Sequence, residues 1–464
     1  MSKDKTKRCE KPVPKVSKSS LSTINLKAAG IDIGSKEHYV AVPAECSETP
    51  VRSFLSFTAD LNDLADWLAQ CGIETVAMES TGVYWIPLYD ILSERGFEVH
   101  LVNARHVKNV SGRKTDVLDC QWLQQLHSYG LLSGCFRPDD MICQLRGYQR
   151  HRDMLLDQAA KHILHMQKAM TQMNLKLHNV LSDIMGKTGM QIIRAIVAGE
   201  RDLKKLASYR DSRCKQSEEV IEKSLQGYYR EEHLFALKQA LELYDIYQDK
   251  LIDCDKAIEG LLCQFESKVD EAGLSQLKKA SKRYKTNAPS FDLHKEIYRM
   301  TGVNFDTLPG MSSYSVFKII SETGLDMSCW KSEKHFASWL GLCPGNKVTG
   351  GRSLSGKTKP SANKAASVFR MCASTLYHSG SALGAFHRRM KGRLGPAKAV
   401  TATANKLAKL FYLMLKNKTD YLDSGEYYYE ERYQERLIKN LKRRAESLGF
   451  ELVASPITSG FAKG

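Results

Sequence analysis

From Leu237 to Phe265, apolar or aromatic side chains recur at Leu237, Leu241, Tyr244, Tyr247, Leu251, Cys254, Ile258, Leu261 and Phe265. Every step is three or four residues, the repeat of a helix that keeps one seam against a partner. The spacing predicts a long helix and, for residues 141–300 as a whole, a helical coiled-coil middle. The segment "RGYQRHRDMLLDQAAKHILHMQKAMTQMNLKLHNVL" is helical by the same reading, and its methionines are packing filler.

At 464 residues the chain is too long for one core, so the seam belongs to one of two or three domains. Upstream of it the period changes. "AAGIDIGSKEHYVAVP" holds two apolar runs around Gly34-Ser35-Lys36, the pattern of a hairpin. "ETVAMES" is a strand ending at a glutamate, "GVYWIPLYDILSERG" has helical spacing, "FEVHLVNA" is another strand, and a helix starts near Asp116 with Thr115 as its N-cap. Strands alternating with helices predict an α/β domain with a mixed sheet over residues 28–140. Residues 1–27, rich in Lys, Ser and Pro, are a flexible basic arm. Residues 301–424 form a mainly α C-terminal domain that opens "LPGMSSYSVFKIISETG", carries a Gly/Ser/Lys loop, and ends on "AKAVTATANKLAKLFYLML", a buried amphipathic helix. Residues 425–464 are a charged helical tail.

The formal net charge is +16 and the pI about 9.2, which favours a polyanionic partner, nucleic acid before a membrane surface. The twelve cysteines contain no close CxxC pair, which argues against a zinc knuckle or a disulfide framework and for reduced thiols. No run of about 18 apolar residues is present, and the charged N-terminus lacks the apolar core of a secretory signal. A cytoplasmic, nucleoid-associated protein is the expectation.

Four carboxylates stand out against this background. Asp116 and Asp119 lie three apart in "GRKTDVLDCQWLQQL", behind the basic pair Arg113 and Lys114. By themselves they suit the first turn of any helix, where the macrodipole favours negative charge. Asp32, however, alternates with Ile31 and Ile33 in the first strand, and Glu79 ends a later one. Strand ends and helix starts of such a sheet converge, and residues three apart on a helix share a face. Four carboxylates at one point repel unless cations lie between them; hard oxygen donors suit Mg²⁺, and two such ions serve phosphoryl transfer.

The stretches "GIDIGSKEHYVAV", "AMESTGVYWIPLYDIL", "VNARHVKNVSGRKTDVLDCQWLQQL" and "WLGLCPGNKVTGGRSLSGKTKPSANKAA" resemble the insertion-sequence transposases of the "one-ten" family. The resemblance covers roughly residues 28–140 and 305–440. It implies an RNase H/RuvC-like DEDD domain with metal-binding catalytic carboxylates at Asp32, Glu79, Asp116 and Asp119, and two Mg²⁺ ions are part of that expectation. It also implies DNA strand exchange on donor and target DNA, a structured noncoding guide RNA, and a homo-oligomer, dimer or tetramer.

One position departs from the family's pattern. Where the family reads Ser-Gly-Gly, this chain has Thr349-Gly350-Gly351, so the resemblance puts the nucleophile at Thr349, with Ser353 or Ser355 as alternatives. A threonine hydroxyl needs activation and its methyl crowds an in-line approach. Lys347 and Arg352 would neutralise the scissile phosphate; Lys357 and Lys359, with Arg113 and Lys114, complete the expected nucleic-acid contacts. The competing readings are a RuvC-type junction nuclease that uses water, and a catalytically decayed nucleic-acid-binding copy.

Overall fold

The computed structural model describes residues 23–80, 82–103, 116–277, 287–345, 347–350, 352–358, 361 and 363–453. The chain forms two compact units, residues 1–137 and 138–464.

The first unit is a five-stranded mixed sheet. Strands β1 (Ala28–Ile33), β2 (Glu37–Ala41) and β3 (Val51–Leu55) form an antiparallel meander; β4 (Thr75–Glu79) and β5 (Glu98–Val102) continue it in parallel, in the order β3-β2-β1-β4-β5. Helix α1 (Thr58–Gln70) joins β3 to β4, α2 (Ile86–Glu94) joins β4 to β5, and α3 (Asp116–Ser128) follows. Parallel neighbours need such crossovers, whereas β1 and β2 need only a tight turn. Leu61, Leu64, Ala65 and Leu68 of α1 fall at helical spacing and are buried with Ala29, Ile31, Ile33, Val40, Val76 and Met78. Side chains alternate along a strand, so Gly30 and Asp32 belong to the opposite face of β1, the face that α3 covers. Residues 82–85 are turns, and α2 starts later than the apolar spacing from Val83 suggests.

In the second unit, α4 (Asp140–Gln172) and α9 (Glu231–Leu262) are the long elements. Between them lie α5 (Leu177–Val180), α6 (Lys187–Val197), α7 (Leu203–Ser208) and α8 (Glu218–Ser224). Asp139 caps α4 by accepting from the Ile142 amide at 2.9 Å. Helix α9 packs against α4 in antiparallel fashion: Cys254 Sγ lies 3.5 Å from Tyr148 O, the His162 and Tyr247 rings stack with centroids 5.4 Å apart, and Met170 shares a core with Leu237. The apolar seam of α9 thus has its partner within the same chain.

One buried ion pair pins the two helices together. Arg152 Nε donates to Asp255 Oδ1 at 2.6 Å, and its Nη1 donates to Asn287 O at 3.0 Å and Tyr314 Oη at 2.9 Å. The Ser290 amide donates to Asp255 Oδ2 at 2.8 Å. Both charges are buried, so these extra bonds are what offset their desolvation.

The remaining helices are α10 (Glu271–Gln276), α11 (Leu293–Thr301), α12 (Ser313–Thr323), α13 (Glu333–Trp339), α14 (Lys364–Thr375), α15 (Ala382–Leu394), α16 (Pro396–Asn417) and α17 (Gly425–Ser447). The strands β6 (Lys347–Thr349) and β7 (Arg352–Ser355) form a hairpin before α14. Helix α16 buries Ala404, Leu407, Ala408, Phe411 and Tyr412, with Phe411 stacked on Phe305 and edge-on to Phe369. Helix α12 is tied to α4, since Arg146 donates to Ser321 O and Glu322 O at its C-terminus and Arg150 grips the Glu322 carboxylate through two bonds of 2.9 Å. Helix α17 buries no residue. Among the described residues no helix is long and apolar enough to cross a membrane, and every cysteine is a free thiol.

Candidate active site

The site is built by the way α3 crosses the sheet. Its C-terminal half is fixed at the beginning of the strands: Gln124 Nε2 donates to Ala28 O at 3.3 Å, His127 Nε2 is 2.8 Å from Thr75 Oγ1, and Ser128 O accepts from the Ile24 and Asn25 amides. One turn back along the helix, Cys120 lies over Gly30. A Cβ on Gly30 would stand 2.2 Å from Gln124 N and 2.5 Å from Cys120 O, so glycine is what permits this contact.

The helix therefore runs antiparallel to β1 and β4. From Cys120 back to Asp116 is about 6 Å of helix, and from Gly30 on to Asp32 is about 6.6 Å of strand. Both arrive at the same end of the sheet. Strands β1 and β4 are parallel with Ile31 beside Met78, so Asp32 and Glu79 are the next residues of neighbouring strands. Asp32, Glu79 and Asp119 are half-buried and Asp116 is exposed.

Electrostatics register the same grouping. Burial pushes the Cys120 thiol up to about 12, and the charges of Asp32 and Asp119 add to the shift. Tyr39, which faces Asp32 across the β1–β2 ladder, donates to Glu37 Oε1 at 3.0 Å; that bond raises its pKa first, and the charge of Asp116 contributes. Gly30, Tyr39 and Cys120 are thus part of the site's construction. Only Gly30 announces itself in the sequence, as a glycine inside a strand two residues before the aspartate.

A metal site needs more than a shared edge. Among the described residues no three of His, Cys, Asp and Glu stand close enough to hold an ion. The donors at the edge still suit a hard cation: they are carboxylate oxygens, and the nearby thiol is held protonated at neutral pH. Arg113 and Lys114, and the expected cap Thr115, lie outside the described residues.

The second group of expected residues is in the 138–464 unit. Thr349 is exposed, ends β6, and pairs with Arg352 across the turn of the hairpin. Gly350 has φ 55°, the left-handed conformation that a tight hairpin turn requires. Lys347 pairs with Ser355 and Val348 with Ser353, with an irregularity between Lys347 and Val348. At the foot of the hairpin Lys357 is exposed, its carbonyl accepting from the Gly345 amide at 2.9 Å. Lys359 lies outside the described residues. The Gly/Ser/Lys segment is therefore a short hairpin presenting a hydroxyl at its tip.

Residues 29–175 match the DEDD family model of IS110 type, described as "Transposase", and residues 303–388 match a model described as "Transposase IS116/IS110/IS902 family". No curated protein matches the chain. Both models describe transposases, so the class is a DNA-processing enzyme. Together the two matches span half of the chain, and the chain belongs to the IS110 family of transposases. All four carboxylates fall in the first match and Thr349 in the second.

Proposed function

We propose that the chain is the recombinase of a mobile insertion sequence, cutting and exchanging DNA strands by transesterification. The reading is supported by one observation above others: α3 crosses β1 and β4 so that Asp116 and Asp119 reach the strand ends bearing Asp32 and Glu79. In this reading residues 28–140 are a RuvC-like catalytic domain, the α4–α9 pair is the coiled coil of the middle region, and residues 301–424 supply the nucleophile. Asp32, Glu79, Asp116 and Asp119 would hold magnesium, two ions by this reading, which would supply charge stabilisation for phosphoryl transfer.

Thr349 Oγ1 attacks the scissile phosphorus. A threonine–phosphate ester forms, the bond to one deoxyribose oxygen breaks, and that oxygen leaves as a hydroxyl carrying the proton given up by the threonine. A hydroxyl of the exchanging strand later displaces Thr349, so the number of phosphate esters is conserved. Lys347 and Arg352 neutralise the phosphate, and Arg113, Lys114, Lys357 and Lys359 hold the backbone. A structured noncoding RNA pairs with donor and target DNA, and the chain acts as a homo-oligomer, dimer or tetramer.

A second reading, a decayed chain that binds nucleic acid without cutting it, is favoured by Thr349 standing at the position where the resemblance expects serine. The two separate in a strand-cleavage assay. Asp119→Asn or Glu79→Gln lowers cleavage about 10²-fold or more while leaving nucleic-acid binding largely intact. Cleavage that persists in a metal-stripped buffer, or that survives both substitutions, overturns the proposal. A junction nuclease that uses water would lose activity in the same variants, yet leave no protein–DNA adduct after denaturation.

A further inference from the structure

Helices α16 and α17 lie beyond both family matches, and with Arg389 of α15 they bring together a group of cations without an anion. Lys406 of α16 points its ammonium over the rings of Phe386 and Tyr429, 4.5 and 5.4 Å from their centroids. Arg389 of α15 is layered against Tyr433, its Cζ 3.2 Å from the ring centroid, and lies 5.2 Å from Tyr429. Arg389 Nη1 is buried and has no hydrogen-bond partner. Burial, with the charge of Arg436 on α17 behind it, lowers the pKa of Lys406. Glu426, near the start of α17, is taken by Arg388. Among the described residues no carboxylate pairs with Arg389, Lys406 or Arg436.

Aromatic faces offset only part of what such burial costs, and a buried cation ordinarily has a partner. Two cations held over rings, Arg389 and Lys406, with the exposed Arg436, whose Nε donates to the Arg432 carbonyl at 3.1 Å, adding charge beside Lys406, are an anion site. The anion's nature is suggested by what continues from it. Lys439 and Arg443 follow Arg436 at steps of three and seven, on the same face of α17, extending the positive line about 10 Å along the helix. A single small ion would engage the inner cations only, whereas a chain of phosphates can follow the whole line.

We infer that Arg389, Lys406 and Arg436 form a binding site for a phosphate of a nucleic-acid backbone, continued along α17 by Lys439 and Arg443. The inference rests on the reading that this chain handles nucleic acid, and it adds a contact surface remote in sequence from the hairpin of Thr349. The rings orient the Arg389 guanidinium and the Lys406 ammonium, and their partial burial strengthens a charge-assisted bond.

The test is fluorescence anisotropy of the full chain, titrated against labelled duplex DNA and labelled single-stranded RNA at several salt concentrations, for wild type, Lys406→Met, Lys406→Arg and Arg436→Gln. Loss of one phosphate contact is expected to weaken binding about tenfold. It also flattens the salt dependence by about 0.9 in log–log slope for duplex, or about 0.7 for a single strand. Lys406→Arg retains affinity. An effect confined to DNA identifies the backbone as DNA, and one confined to RNA identifies it as RNA; either supports the site. Lys406→Met replaces a buried cation with an apolar chain of similar length, and its melting temperature should not fall. Should it unfold, the exposed Arg436 carries the same test. Unchanged affinity and slope in the folded variants, with both polymers, would mean that the cations merely staple α17 to α15. Should wild type bind neither polymer, the transposase reading fails with it.

Discussion

Gly30 of β1 lies directly under the backbone of Cys120: a methyl group there would come within 2.5 Å of the Cys120 carbonyl oxygen. This one contact sets how closely α3 rides on the sheet, and through it the height of Asp116 and Asp119 above Asp32. Gly30→Ala is expected to lift the helix, cost about 1–3 kcal/mol in stability, and reduce strand cleavage by more than the stability loss explains. Urea unfolding and cleavage rates on the same preparation check this. An unchanged rate in a folded Gly30→Ala protein would show that the height of α3 is not what positions the carboxylates.

The Arg152–Asp255 pair makes a stability prediction. Asp255→Ala leaves a buried guanidinium with two neutral partners, and about 3–5 kcal/mol of unfolding free energy should be lost. Replacing both ends, Arg152→Met with Asp255→Leu, should recover most of it, because the remaining cost is one of packing. A double variant as unstable as the single one would locate the loss elsewhere in the helical pair.

His127 gives the 1–137 unit a pH dependence. Its side chain is 3% exposed, burial and then the neighbouring His100 lower its pKa to about 4, and it keeps its bond to Thr75. The unfolded chain, with an ordinary histidine near 6.5, binds the proton that the folded one refuses between pH 6.5 and 4. Stability contributed by His127 is complete above pH 6.5 and falls as pH drops toward 4, by about 2 kcal/mol from pH 7 to 5. Unfolding measured at the two pH values should show this loss in wild type and less of it in His127→Gln. An equal loss in both would assign the effect to other groups.

What the sequence discloses follows from which forces have a local signature. The hairpin of β1 and β2 is legible because one face is buried and the side chains alternate. Strand β3 is not, since Arg52, Ser53 and Leu55 of this edge strand are exposed and no period remains. The seam of α9 specifies a face without specifying whose helix covers it, and the cover is α4 of the same chain. Likewise the carboxylates are legible as types at strand ends and in a helix start. The approach of α3 that brings them to one edge depends on Gly30 and Gln124, 94 residues apart, and no periodicity couples such a pair. The cations around Lys406 are hidden for a related reason: within "AKAVTATANKLAKLFYLML" that lysine reads as one more polar position of an amphipathic helix.

The most direct measurement is excision in cells, with the coding sequence in its own flanking DNA and Thr349 compared with Thr349→Ser and Thr349→Ala. The account predicts that the threonine and serine proteins excise the element and that the alanine protein does not. Excision by the alanine protein as efficient as that of the natural one would contradict it, because the hydroxyl at the tip of the hairpin would then have no part in breaking the strand.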